Sequence, residues 1–236
     1  MDQRRMNRRD VVALLGIASG AALLPGLGRA LPAKQEHHGA VDSPVVTPQE
    51  ALDRLKAGNA RFASGKSLHA HESAHLRHQL ISGQHPFAIV LGCSDSRVPV
   101  ELIFDQGFGD LFVVRVAGNV ITDDVLGSIE YARIHLKTQL LVILGHDGCG
   151  AVTAALEARK HASSDPHGIQ TIVDFIEPGI RNVDAGLPAP EQLHRAVESN
   201  VRWAEQELKR SPEMQNTAPS TVGAVYDLEG TVRWLE

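Results

Sequence analysis

Both cysteines of this 236-residue chain lie in short polar segments that directly follow apolar runs. The first is Cys93-Ser94-Asp95-Ser96-Arg97-Val98, after the run from Pro86 to Gly92, and the second is His146-Asp147-Gly148-Cys149-Gly150, after the run from Leu140 to Gly145. Two thiols, an imidazole and a carboxylate (Cys93, Cys149, His146 and Asp95) make a donor set suited to a tetrahedral zinc ion. Soft sulfur combined with imidazole favours zinc over magnesium or calcium. The spacing His146-x-x-Cys149 lets two ligands reach one ion from a single turn, and Gly145, Gly148 and Gly150 permit a sharp backbone path there. The cysteines also admit two plainer readings: buried apolar filler, or a Cys93–Cys149 disulfide in an exported chain. The company of His146 and Asp95 favours the metal.

Whether such a zinc is structural or catalytic turns on Asp95. With Cys93, His146 and Cys149 as the three ligands, one coordination position stays open to water; with Asp95 as a fourth ligand the site is closed. Asp95 and Arg97 are two residues apart, and a turn can set their carboxylate and guanidinium side by side. That pairing would hold Asp95 off the metal and orient it to accept a hydrogen bond from the water that the metal activates.

These segments need a scaffold, and the length allows one sizeable domain with its own core. Hydrophobic residues make up 43% and charged residues 22%, which argues against disorder and against a multi-span membrane protein. A net charge of -5 with no basic patch past the N-terminus argues against nucleic-acid binding. Two cysteines are too few for a disulfide framework.

The N-terminus has the pattern of a secretory signal. Arg4, Arg5, Arg8 and Arg9 precede an apolar run from Val11 to Leu24, with small residues at Gly28 and Ala30. Arg8-Arg9 within it is similar to the twin-arginine export signal. Residues 1–33 are therefore expected to be a signal peptide, 34–46 a linker and 47–236 the folded domain, located in a bacterial periplasm or otherwise exported, with no membrane span in the mature chain. A single membrane anchor is the competing reading of the run, which is short for a span and broken by Gly16, Gly20 and Pro25.

Along the domain, Thr47-Pro48-Gln49-Glu50 starts a helix by N-cap, first-position proline and first-turn acid. His69, His71, His75 and His78 follow in a polar segment, read as a solvated helix face rather than a metal site. Strands are expected over Phe87–Leu91, Asp110–Val116, Leu140–Leu144 and Thr221–Tyr226, and helices over Asp123–His135, Cys149–Lys160, Gly168–Asp184 and Pro190–Arg210. After Glu229-Gly230 the stretch Thr231–Leu235 is expected to return as an antiparallel edge strand. The predicted fold class is α/β: a mostly parallel four-stranded sheet with an antiparallel C-terminal edge strand and helices on both faces. In such a sheet the site forms beyond the carboxyl ends of the strands, where both cysteine segments fall.

The motif Cys93-x-Asp95-x-Arg97, about fifty residues before His146-x-x-Cys149-Gly150, resembles the β-class carbonic anhydrases. The likeness runs from the helix after Thr47 to the C-terminal strand. It implies the β-carbonic anhydrase fold, one zinc per subunit on Cys93, His146 and Cys149, an Asp95–Arg97 catalytic dyad, and reversible hydration of carbon dioxide to bicarbonate and a proton. In some members the aspartate swings onto the metal at lower pH, so Asp95 is also a ligand of the closed state. The resemblance further implies a homodimer or higher homo-oligomer with the N-terminal helix packed on its partner. Val98, Ala117, Gly118 and Val120 are candidates to line an apolar pocket for carbon dioxide, with ordinary core packing as their other reading. Two alternative functions remain at this point: a related zinc hydrolase of carbonyl sulfide or carbon disulfide, and a non-catalytic zinc-binding protein with a closed four-ligand site.

Overall fold

A computed structural model describes residues 46–161, 166–212, 214 and 220–235. The expected signal segment, and all but the last residue of the linker, lie outside the described residues. Helix α1 (Pro48–Ala63) opens with a complete capping box: the Thr47 hydroxyl accepts from the Glu50 N–H, and the Glu50 carboxylate accepts from the Thr47 N–H. A short helix α2 (Ala74–Gln79) and strand β1 (Ala88–Gly92) follow. Next come α3 (Val100–Ile103), β2 (Leu111–Arg115), α4 (Asp123–Ile134) and β3 (Leu140–His146). Helices α5 (Gly150–Ala158), α6 (His167–Ile180) and α7 (Ala189–Arg210) precede the last strands, β4 (Ser220–Tyr226) and β5 (Val232–Trp234).

The sheet has the order β2-β1-β3-β4-β5; the first four strands are parallel and β5 is antiparallel to β4. Parallel strands covered on both faces read as continuous apolar runs, and β1 and β3 are buried at every position. Alternate side chains go to opposite faces. Ile89, Leu91, Leu141 and Ile143 pack with Val125 and Ile129 of α4, Val152 of α5, Ile176 of α6 and Val197 of α7. Ala88, Val90, Val142 and Leu144 pack with Ala51 and Leu55 of α1 and Val100 and Ile103 of α3.

Two elements depart from the expected layout. His71 is not on a helix: it has φ 61°, precedes α2, and its Nδ1 lies 2.8 Å from the Asp110 carboxylate. A residue in the left-handed region cannot continue a helical face, so His71 and His75 do not share one. Helix α3 has only four residues, too few for a periodic signal in the sequence.

Candidate metal centre

Strands β1 and β3 are adjacent and parallel, with Gly92 opposite Leu144. Their carboxyl ends therefore deliver residues 93–97 and 146–149 to the same edge of the sheet. Cys93 continues the Ile89/Leu91 side of β1 into the α4–α7 core. Cys149 is the N-cap residue of α5, where the Ala151 and Val152 N–H groups favour its thiolate. Gly148 makes the sharp turn between the ligand-type residues, with φ +67°. Gly145 serves differently: a Cβ there would lie 2.7 Å from Val201 Cγ2, so its absence lets α7 sit directly on the strand that carries His146. Gly150 has open space around it, so the turn makes no demand on that position.

The ligand atoms of Cys93, His146 and Cys149 all lie within 4.8 Å of one another, and all three residues are buried. The two Sγ atoms are 4.0 Å apart and both cysteines are free. Zn–S bonds of about 2.3 Å at a tetrahedral angle place two sulfurs about 3.8 Å apart, so the spacing fits one shared ion. His146 Nδ1 faces the Asp147 carbonyl at 2.9 Å. That contact assigns the proton to Nδ1, which donates, and leaves Nε2 as a lone pair. Among the described residues Nε2 is buried without a hydrogen-bond partner. Such an orphan costs about 1–3 kcal/mol unless something binds it; beside two sulfurs, a cation does.

Charge makes the same demand. A hydrogen bond from Cys149 first, then contacts with His146 and the Gly118 and Asp95 N–H groups, hold the Cys93 thiol down to about 4 against the effect of burial. The Cys93 contact, with burial added, pushes Cys149 up. Two adjacent buried sulfurs become thiolates together only with a cation between them. The residues present thus fit a zinc ion.

Asp95 is turned to Arg97. Its Oδ1 accepts from Arg97 N–H at 2.9 Å and from Nε at 3.0 Å, and its Oδ2 accepts from Nη2 at 2.7 Å. These bonds hold the Asp95 carboxyl well below the usual carboxylate range, with burial opposing. Oδ2 nonetheless sits 3.9 Å from His146 Nε2, at the margin of the three-residue cluster. Arg97 Nη2 also donates to the Gly148 carbonyl at 3.2 Å, tying the two loops together.

The pocket candidates separate. Gly118 donates its N–H to Cys93 Sγ at 3.4 Å, and its own carbonyl accepts from Asn200 Nδ2 at 2.8 Å. It has φ +67°, and a Cβ there would come within 2.6 Å of Ile176 Cδ1. Val120 is buried in the same cluster as Cys93 and Cys149. Val98, with no exposure, belongs to the opposite cluster with Val100, Ile103 and Phe104; its placement is that of a packing residue. Ala117 is half-buried in the turn beside Gly118.

One residue that supports the first loop belongs to neither motif. Arg115 ends β2 and donates from Nε to the Cys93 carbonyl at 2.9 Å and from Nη2 to the Asp95 carbonyl at 2.6 Å. It braces the first loop from the neighbouring strand. The available signal was a lone charge closing the apolar strand Leu-Phe-Val-Val-Arg.

Comparison with known proteins points to one family. Residues 88–232 match the family model described as carbonic anhydrase. A carbonic anhydrase of Mycolicibacterium smegmatis is 42% identical over 189 residues, 78% of this chain and 91% of that protein. Carbonic anhydrase 2 of Mycobacterium tuberculosis is 47% identical over 137 residues, 58% of this chain and 66% of that protein. Among solved structures, tetrameric β-carbonic anhydrases from the ascomycete Sordaria macrospora superpose with a TM-score of 0.62 at 26% identity, over 76% of this chain and 93% of theirs. With the family model spanning most of the domain and the strand-end cluster in place, the chain belongs to the β-class carbonic anhydrases.

Proposed function

We propose that Cys93, His146 and Cys149 are the three zinc ligands of this carbonic anhydrase, and that Asp95 and Arg97 are its catalytic dyad. The reaction is the reversible hydration of carbon dioxide to bicarbonate and a proton. One observation carries the ligand assignment: the buried His146 Nε2, without a hydrogen-bond partner among the described residues, beside two free sulfurs.

Bound zinc supplies Lewis acidity, lowering the pKa of water from about 15.7 towards neutrality. The chain's own residues do the rest. Arg97 keeps Asp95 ionised and engages its carboxylate in hydrogen bonds, so that Cys93, His146 and Cys149 would hold the ion without it. Asp95 Oδ2 accepts a hydrogen bond from the attacking water and aims its lone pair at the carbon. The Gly118 N–H spreads the negative charge of Cys93 Sγ. Gly118 and Val120 contribute the apolar wall against which carbon dioxide rests. Metal analysis together with stopped-flow hydration between pH 6.5 and 8.5 tests the reading. It expects one zinc per chain and activity that rises with pH; zinc-loaded protein inactive at pH 8.5 would overturn it. Release of hydrogen sulfide from carbonyl sulfide or carbon disulfide would favour the related hydrolase instead.

Two further readings concern export and assembly. Export rests on Arg8-Arg9 and the apolar run after them; cell fractionation with amino-terminal sequencing of the mature protein checks it, and full-length protein in the cytoplasm would refute it. A homo-oligomer is supported by the tetrameric Sordaria macrospora proteins and by the outer edge of β2, which no strand pairs among the described residues.

A further inference from the structure

The loop between His146 and Cys149 is held from outside by a polar relay that the reaction does not use. Asp147 Oδ1 lies 3.0 Å from His194 Nδ1, which comes from α7. His194 Nε2 lies 3.3 Å from Glu198 Oε1, one turn along the same helix, and 3.2 Å from Arg233 Nη2 of β5. Arg233 Nη2 in turn donates to Glu198 Oε1 at 2.7 Å. Three elements, the ligand loop, α7 and β5, therefore meet at one imidazole. Isolated pairs between half-exposed groups contribute little. This network differs in its anchor: Asp147 is the residue whose carbonyl takes the Nδ1 proton of His146 and so fixes that ring.

We propose that His194 is a positioning residue of the zinc centre. By holding the Asp147 side chain it keeps the Asp147 peptide oriented towards His146 Nδ1, and so keeps Nε2 aimed at the ion. The same hold fixes the chain entering Gly148, whose carbonyl receives Arg97. The inference rests on the proposed ligand role of His146. Outer partners of metal-bound histidines act through ring orientation and change metal affinity or activity by 10–100-fold in typical cases; acting one bond further out, His194 belongs at the lower end.

The test uses zinc-loaded full-length protein, His194→Ala, and His194→Asn, whose Nδ2 occupies the place of the imidazole Nδ1. Zinc transfer to an excess of chelator is timed, and the visible d–d bands of the cobalt-substituted proteins are recorded. The expected result is about tenfold faster zinc loss and shifted cobalt bands for His194→Ala, with His194→Asn within about twofold of the parent and its bands restored. Unchanged release and bands in His194→Ala would overturn the proposal, as would a His194→Asn variant as fast as His194→Ala. A parent protein that holds no zinc would instead overturn the ligand assignment, so the two failures are distinguishable.

Discussion

At the scale of single residues, the centre depends on two arginines with different duties. Arg97 grips the Asp95 carboxylate through two side-chain bonds and so decides where that carboxylate points. Arg97→Ala should retain one zinc per chain while kcat/KM for hydration falls about 10–100-fold, because the freed carboxylate can turn onto the metal; metal analysis beside stopped-flow hydration reads both. Arg115 never faces the reacting groups but bonds two carbonyls of the first loop in a fork. Hydrogen bonds from a charged donor contribute about 1.5–3 kcal/mol each. Arg115→Ala should therefore cost about 3 kcal/mol of stability and about tenfold in kcat/KM, with zinc still bound. Arg115→Lys should rescue little, since an ammonium cannot span both carbonyls as a planar fork does. Chemical denaturation and steady-state kinetics separate these effects.

At the scale of elements, what was legible followed from pattern. The apolar runs of β1 and β3 announce buried parallel strands, and the Thr47–Glu50 box announces α1, because both depend on residues close in sequence. The two cysteine segments were readable for the same reason: metal-ligating side chains come in types and spacings that few other purposes require. What could not be read were bonds between elements. Nothing in the sequence links Arg115 to Cys93, His194 to Asp147, or Asn59 to the last hairpin. Asn59, buried on α1, donates to the Ile103 and Gly230 carbonyls and accepts from Val232 N–H, stitching α1 to α3 and to the β4–β5 turn. Asn59→Ala leaves three backbone groups unpaired and should cost about 3 kcal/mol, readable as a lower denaturation midpoint. Asp105 does comparable work for the chain after α1. Burial pushes its carboxyl up, but Arg61 and the Leu68 and His69 N–H groups outweigh this and leave it lowered. A carboxyl lowered on folding stabilises above its unfolded value, about 3.9, and loses that contribution as pH falls through the folded value. The Tm gap between the parent and Asp105→Asn should thus be widest near neutral pH and close in acid, which calorimetry across pH 3–7 measures.

At the scale of the whole molecule, β2 is the outermost parallel strand of the sheet among the described residues. Among the described residues no strand pairs with its outer side. Large apolar side chains crowd that border: Ile81 is 79% exposed and Phe108 48% exposed, both in one groove with Leu111, while Tyr131, 47% exposed, stacks near Phe112 on the other flank. Natural sheets protect an edge with charge, proline or a covering element, and this border has none of the first two between Leu111 and Val114. A second copy of the chain seated along β2 would remove the exposure on both sides at once. The consequence reaches the reaction through Arg115, which closes β2 and braces the Cys93–Arg97 loop. A strand steadied along its length presents that guanidinium in a fixed place; a strand left open frays at its end. Phe108→Glu combined with Tyr131→Glu should therefore lower the mass seen by light scattering after size exclusion and lower kcat/KM in the same samples, while Ile169→Glu, at an exposed apolar position on α6, changes neither. Undiminished mass in the double variant would place the contact elsewhere, and full activity in a dissociated chain would show that Arg115 holds its loop without help from the edge.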